Sequence, residues 1–400
     1  MKDNHKVLTI ALASRILIIA VMLISSFVFA YSTSEHMVAK QMNTPFVGMF
    51  MRWDSEYYLA IASHGYPLGY PNIHTFPSLT ATGSPMPPKI ANHLWAFFPF
   101  YPLAMAALAV VFKRFLTLTP SLMVSGVIVS NIAFFVSGYF FYKLTQKLFG
   151  SRIALISTVF YCFWVGGVFF SAIYSEALFM ALTLGAFYYL EENRLSNAVL
   201  LGFLASFTRS DGFLIFIPFL VYGLLQFRNS KPQSFKLMFS SAVVASPYLI
   251  FNIAGYFMAG GVFPVQLIAR ESNWGTYPLL TNQFTAPYVT IPSYQAFDIA
   301  GLILVLIPIV YFLLTAEKIF ADEKMTLGYW AFYGAMVYVL FTDSVISSVM
   351  RYAIPMLPIY WVFAKIYTKN RLIGVTLFGL STAMLIIAAY FLETANIYFM

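Results

Sequence analysis

The sequence predicts an all-α polytopic membrane protein with about eleven transmembrane helices. Hydrophobic residues make up 60% of the chain, charged residues only 10%, and the mean hydropathy is +0.78. A soluble domain carries about a quarter charged residues, so this composition excludes one. Apolar stretches of roughly 16 to 24 residues recur along the chain, about what a helix needs to cross a ~30 Å hydrocarbon core. One long polar segment, 31–96, interrupts them after the first span.

The expected spans are 7–30, 121–142, 153–171, 176–190, 196–208, 212–227, 237–257, 298–316, 327–342, 352–367 and 372–392. Lys2, His5 and Lys6 precede the first. The apolar run from Val7 to Ala30 is longer than the ~7–15-residue core of a cleavable signal, which predicts a retained helix with a cytoplasmic N-terminus. Segment 97–114 is apolar too, but Pro99 and Pro102 interrupt its start and Lys113 and Arg114 close it.

Charge distribution decides whether 97–114 crosses. If it does not, the cytoplasmic side holds Lys2, Lys6, Lys143, Lys147, Arg152, Arg194, Arg228, Lys231, Lys236, Lys318, Lys324, Lys365, Lys369 and Arg371, fourteen in all. The outer side then holds eight: Lys40, Arg52, Lys89, Lys113, Arg114, Arg209, Arg270 and Arg351. A crossing would leave seven inside and fifteen outside, against the positive-inside rule. We therefore expect one membrane domain over 1–400, with 31–96 as an outer catalytic loop, 97–114 as an interfacial or re-entrant helix, 258–297 as a second outer loop, and the C-terminus outside.

Cys162 is the only cysteine, so no internal disulfide or cysteine-rich metal site exists. No Asn-x-Ser/Thr acceptor occurs, which points to a prokaryotic plasma membrane rather than the endoplasmic reticulum. The formal net charge of +8 sits mostly in the expected cytoplasmic loops and implies contact with anionic lipids, not nucleic acid.

Chemistry concentrates in RWDSEYYLAIASHGY, Arg52 to Tyr66. Asp54 is placed either to cap a helix starting at Ser55 or to act as a base. Arg52, Trp53, Tyr57 and Tyr58 crowd around it, and such residues suit recognition of phosphate through arginine and of sugar through aromatic faces. Asp54 and Glu56 are a candidate pair for a divalent cation, although their carboxylates point about 200° apart on a helix. No metal or other cofactor is expected to be required, and His64, His74 and His93 lack ligand spacing for zinc. Glu176, Arg209, Asp211 and Arg351 stand at span ends on the same expected face, with Asp343 nearby in sequence. Ionisable groups beside apolar spans are costly and usually face a cavity, though capping, structural pairing and snorkelling are the plainer readings.

Five segments, in order, resemble the motifs of the PIG-V type mannosyltransferases: RWDSEYYLAIASHGY, FFPFYPL at Phe97 to Leu103, YSEALF at Tyr174 to Phe179, SFTRSDG at Ser206 to Gly212, and RYAIPMLP at Arg351 to Pro358. The resemblance runs over about residues 7–367 and is most specific in its first motif. It implies a fold of the GT-C class of membrane glycosyltransferases, a polyprenyl-phosphate sugar as donor, a lipid or glycan acceptor, and inversion at the anomeric carbon. It also implies that Asp54 is the loop acid, with Glu176, Arg209 and Arg351 at motif positions. Asp211 stands where many relatives are expected to carry Asn.

The expected function is transfer of a hexose, mannose foremost, to an acceptor hydroxyl at the outer membrane face. The alternative is a polytopic transporter or lipid flippase. That class often shows paired repeats with binding groups near the midplane, whereas here the polar clusters gather on one face and no repeat of comparable length is visible. An inactive assembly scaffold would leave Asp54 freely replaceable.

Overall fold

The computed structural model describes residues 2–28, 48–68, 93–274, 292–323, 326–341 and 348–394. Most of the polar loop 31–96, the stretch 275–291 and Asp343 lie outside the described residues. The described residues form α-helices and 3-10 turns joined by turns and bends, and no strand occurs among them. In chain order the α-helices are α1 Lys2–Val28, α2 Asp54–His64, α3 Phe100–Phe112, α4 Leu118–Cys162, α5 Glu176–Glu191, α6 Leu195–Ser206, α7 Phe216–Gln226 and α8 Lys231–Met258. They continue with α9 Val265–Trp274, α10 Pro292–Asp322, α11 Leu327–Leu340, α12 Val349–Tyr352, α13 Pro358–Lys369 and α14 Arg371–Thr394.

Five of these, α1, α4, α8, α10 and α14, are long and apolar enough to cross a membrane. The chain is an integral membrane protein. Leu, Phe and Ile side chains stay exposed along these helices, among them Phe27, Phe239 and Leu314, as a surface solvated by lipid requires. The shorter apolar helices α3, α6 and α11 have 13, 12 and 14 residues. At 1.5 Å per residue they reach roughly 18 to 21 Å, less than the ~30 Å apolar core. Segment 97–114 is thus a 13-residue helix, α3, packed on α2 and α4.

Three of the departures from the expected spans bear on the site. Spans 121–142 and 153–171 share one element, α4, which turns at Gly150, whose φ of 82° suits glycine. The second of those spans then stops at Cys162 and continues as a 3-10 turn, Val165–Phe170, because Trp164 adopts an extended backbone. Span 352–367 is split as well: Arg351 sits in the one-turn helix α12, and α13 begins afresh at Pro358.

Around the buried core, α4 packs on α1, α3, α5 and α13, while α5 and α6 form a hairpin. Helices α7 and α8 pack beside α6 and α11, and α14 returns against α1. Because α5, α6 and α7 alternate in direction, Glu176, Arg209 and Asp211 come to one end of the bundle. Glu191 goes to the other, where its carboxylate accepts hydrogen bonds from Tyr222 and, at 2.7 Å, from Tyr329.

Candidate active site

Five charged side chains from four separate parts of the sequence form one buried chain of ion pairs. Arg351 Nη1 meets Asp54 Oδ2 at 2.6 Å, and its Nε meets Glu176 Oε1. Arg209 Nη1 meets the same Glu176 oxygen, and its Nε meets Asp211 Oδ1 at 3.0 Å. The side chains of Asp54, Glu176 and Asp211 are only 7%, 3% and 6% exposed, so solvent screens these pairs weakly. Burial opposes the charge on Arg209, yet Asp211 and Glu176 hold its pKa above the ordinary arginine range. For Arg351 burial is likewise outweighed by Glu176 and Asp54.

Local structure explains the placement of each member. Asp54 is the first residue of α2 rather than its cap; Trp53 holds the cap position, with no side-chain capping bond, at φ 43° and ψ −105°. A left-handed backbone at a tryptophan is costly, of order 1–3 kcal/mol, and such strain clusters at functional sites. Ser348, just before the turn that carries Arg351, has φ 54°. The Asp54 carboxylate therefore serves Arg351 and does not cap the helix.

Glu176 opens α5 directly after the 3-10 turn 165–170 and the bends that follow it. Its second oxygen, Oε2, is buried with no hydrogen-bond partner among the described residues. An unpaired buried carboxylate oxygen costs about 1–3 kcal/mol or more, and a donor brought by a ligand would relieve that cost. Arg209 has an extended backbone between α6 and the 3-10 turn Ser210–Ile215, so the hairpin tip delivers both of its charges to the same place.

The structure divides the sequence-predicted residues into two groups. Asp54, Glu176, Arg209, Asp211 and Arg351 are in direct contact through the ion pairs. Tyr58 lines this cluster: its hydroxyl meets Ser175 Oγ at 2.7 Å and its ring packs edge-on to Phe97 and Tyr101. Burial, then the charge of Glu176, push the Tyr58 phenol above its usual range, so it stays protonated. Tyr57 stacks on Phe97, with its hydroxyl 3.4 Å from His93 Nδ1. Glu56 is half-buried on α2. Arg52 is buried with its guanidinium on backbone carbonyls, Leu392 O at 3.0 Å, Met51 O at 2.7 Å and Gly48 O, which ties the start of α2 to the end of α14. Among the described residues no group of three or more His, Cys, Asp or Glu is gathered as a metal site.

Sequence reading did not single out Ser175, which bridges Tyr58 and, at 3.5 Å, Arg209. Nor does it single out Arg15, although an arginine inside the first expected span, 7–30, is an available signal.

Comparison with known proteins agrees with the motifs over a shorter range. The family described as Mannosyltransferase (PIG-V) matches residues 89–258, which include Glu176, Arg209 and Asp211 but neither Asp54 nor Arg351. The GPI alpha-1,6-mannosyltransferase 2 of Homo sapiens is 28% identical over 225 residues, 52% of this chain and 41% of that protein. The Mus musculus protein of that name is 30% identical over 234 residues, 54% of this chain and 42% of its own length. The chain thus spans less than half the length of the curated relatives it matches. Among solved structures, the archaeal oligosaccharyltransferase AglB from Archaeoglobus fulgidus, in complex with an inhibitory peptide and a dolichol-phosphate, aligns over 98% of this chain and 55% of that one, with a TM-score of 0.46 and 14% identity.

Proposed function

We propose that this chain, similar to the PIG-V mannosyltransferases, is a membrane glycosyltransferase of the GT-C class. It transfers a hexose, foremost mannose, from a polyprenyl-phosphate donor to a hydroxyl of a lipid or glycan acceptor, with inversion. The observation that carries the reading is the ion-pair chain Asp54–Arg351–Glu176–Arg209–Asp211, which gathers a base and two phosphate-binding cations in one buried place.

In the proposed reaction the acceptor oxygen attacks the anomeric carbon. As that bond forms, the bond from the anomeric carbon to the phosphate oxygen breaks, and its electron pair leaves with the polyprenyl phosphate. The acceptor proton passes to Asp54, a step that commonly contributes ~10²–10⁴-fold. Arg209 and Arg351 neutralise the charge that develops on the departing phosphate through charge-assisted hydrogen bonds. Glu176 Oε2 receives a sugar hydroxyl, which satisfies its missing donor.

The cluster sets three carboxylates against two guanidiniums, and Arg351 is paired with Asp54. Donor phosphate competes for Arg351, and as it draws the guanidinium away the Asp54 carboxylate becomes available as a base. The reaction so written requires no metal or other cofactor; Asp54 and Glu56 are the place to look for a divalent cation. We place the site at the outer face of the membrane on the loop charge distribution, and that membrane is a prokaryotic plasma membrane on the absence of an Asn-x-Ser/Thr acceptor.

The test is direct. Purified protein in lipid is offered polyprenyl-phosphate mannose, then glucose and arabinose analogues, with lipid and glycan extracts as acceptors. Transfer by the wild type and its loss in Asp54→Asn is the expected result. Absence of transfer from every lipid-phosphate sugar would sink the reading.

A further inference from the structure

We propose that Arg15 is a positioning residue for this site, holding the interrupted end of α4 so that Glu176 and Arg351 meet; the claim that this matters for turnover rests on the proposed transfer reaction. Arg15 lies mid-way along the apolar helix α1 and is 3% exposed. An arginine within a membrane span is costly and calls for partners inside the bundle. Among the described residues no carboxylate pairs with it. Its partners are instead the groups set free where α4 stops.

Nη1 donates to Gly167 O at 2.8 Å and to Ser171 Oγ at 3.0 Å, and Nη2 reaches Cys162 O at 3.4 Å. The guanidinium also lies over the Phe134 ring, 3.9 Å from its centroid, a cation–π contact strengthened by the apolar surroundings. A helix that ends inside a bundle leaves its last carbonyls without intrahelical donors. Ser381 Oγ donates to Phe163 O at 3.0 Å, and Arg15 supplies the donors for Cys162 and for the turn beyond it.

That turn touches the ion-pair chain from two sides. Forward in sequence it leads through Ser171 to Ser175 and Glu176. Ser171 Oγ donates to Asn131 Oδ1 at 3.0 Å, and Ser130 Oγ donates to Tyr174 O at 3.2 Å, which fixes the last residues before Glu176. Sideways it carries the backbone just before Arg351: Trp164 Nε1 donates to Met350 O at 2.8 Å, and Gly166 packs on the same peptide. Ile173 N also donates to Phe50 O at 2.8 Å, tying in the strand of chain that leads to Asp54. A single arginine thus braces the segment that sets the spacing between Asp54, Glu176 and Arg351.

Arg15→Met, Arg15→Lys and Lys365→Met provide the test. Lys365 bonds both Glu323 oxygens at 2.8 Å among other elements, so its loss serves as a matched removal of a partly buried cation elsewhere. Hydrogen exchange of residues 163–175, read by mass spectrometry, needs no knowledge of the reaction. We expect at least ~10-fold faster exchange there in Arg15→Met, partial recovery in Arg15→Lys, and no local change in Lys365→Met. Transfer assays on the same proteins should show kcat reduced ~10–100-fold in Arg15→Met with KM for donor changed less, since ~1 Å of misplacement costs about 10². Unaltered exchange over 163–175 in a folded Arg15→Met protein overturns the brace. Faster exchange with unaltered kcat overturns the positioning role. If the wild type transfers no sugar, the proposed function fails while the exchange data still decide whether Arg15 holds the turn.

Discussion

Gly166→Ala tests how tightly the site depends on the turn after α4. A Cβ built on Gly166 lies 2.9 Å from the carbonyl carbon of Met350 and 3.1 Å from Ile354 Cγ1, and closer still to Met350 O. Ordinary carbon–carbon contacts are about 3.5–4.0 Å, so the two backbones must part by roughly 0.6–1.1 Å. The obstacle is main chain, not the end of a flexible side chain, so no rotamer change relieves it. Overpacking of this kind costs about 1–3 kcal/mol. Arg351 is the next residue after Met350, and the shift moves its guanidinium relative to Asp54 and Glu176, for which a ~1 Å error costs about 10²-fold in rate. Thermal unfolding and mannosyl transfer from polyprenyl-phosphate mannose are the two assays. Gly138→Ala is the control, because its Cβ meets nothing within 4 Å and alanine is the better helix former. A Gly166→Ala protein as stable and as active as Gly138→Ala would refute the claim that this contact sets the position of Arg351.

Asp54→Asn should lower transfer by at least ~100-fold, since it removes the proton acceptor while keeping side-chain size; near-normal turnover would return Asp54 to a structural partner of Arg351. Arg209→Ala and Arg351→Ala should each weaken donor binding more than acceptor binding, and because both guanidiniums share Glu176 Oε1 their double variant should depart from additivity; a strictly additive double would argue against one shared phosphate site. Tyr329→Phe, which removes a 2.7 Å bond to Glu191 at the opposite end, should lower stability by about 1–3 kcal/mol and leave kcat unchanged. Cysteines introduced at Thr75 and Ser230 should be labelled from opposite sides of the membrane, with buried Cys162 silent; labelling from one side would mean that 97–114 crosses.

What the sequence by itself determined is what depends on local pattern. Hydropathy over windows of about twenty residues marks membrane helices, because the bilayer demands apolar surface and satisfied backbone regardless of the neighbouring helices. The motif around Asp54 was likewise visible, as was the gathering of Glu176, Arg209, Asp211 and Arg351 on one face. Only the tertiary structure decided which charge meets which. Arg52 and Arg351 are both arginines beside apolar spans, yet Arg52 spends its donors on the carbonyls of Gly48, Met51 and Leu392, while Arg351 bridges Asp54 and Glu176. The end of α4 at Cys162 was also hidden, because its apolar sequence continues unbroken into Val165–Phe170; the break holds where Arg15, from a distant helix, supplies the donors that a continuing helix would have supplied itself. A buried charge or an open helix end is tolerable only with a partner, and that partner is chosen by three-dimensional packing rather than by neighbours in the chain.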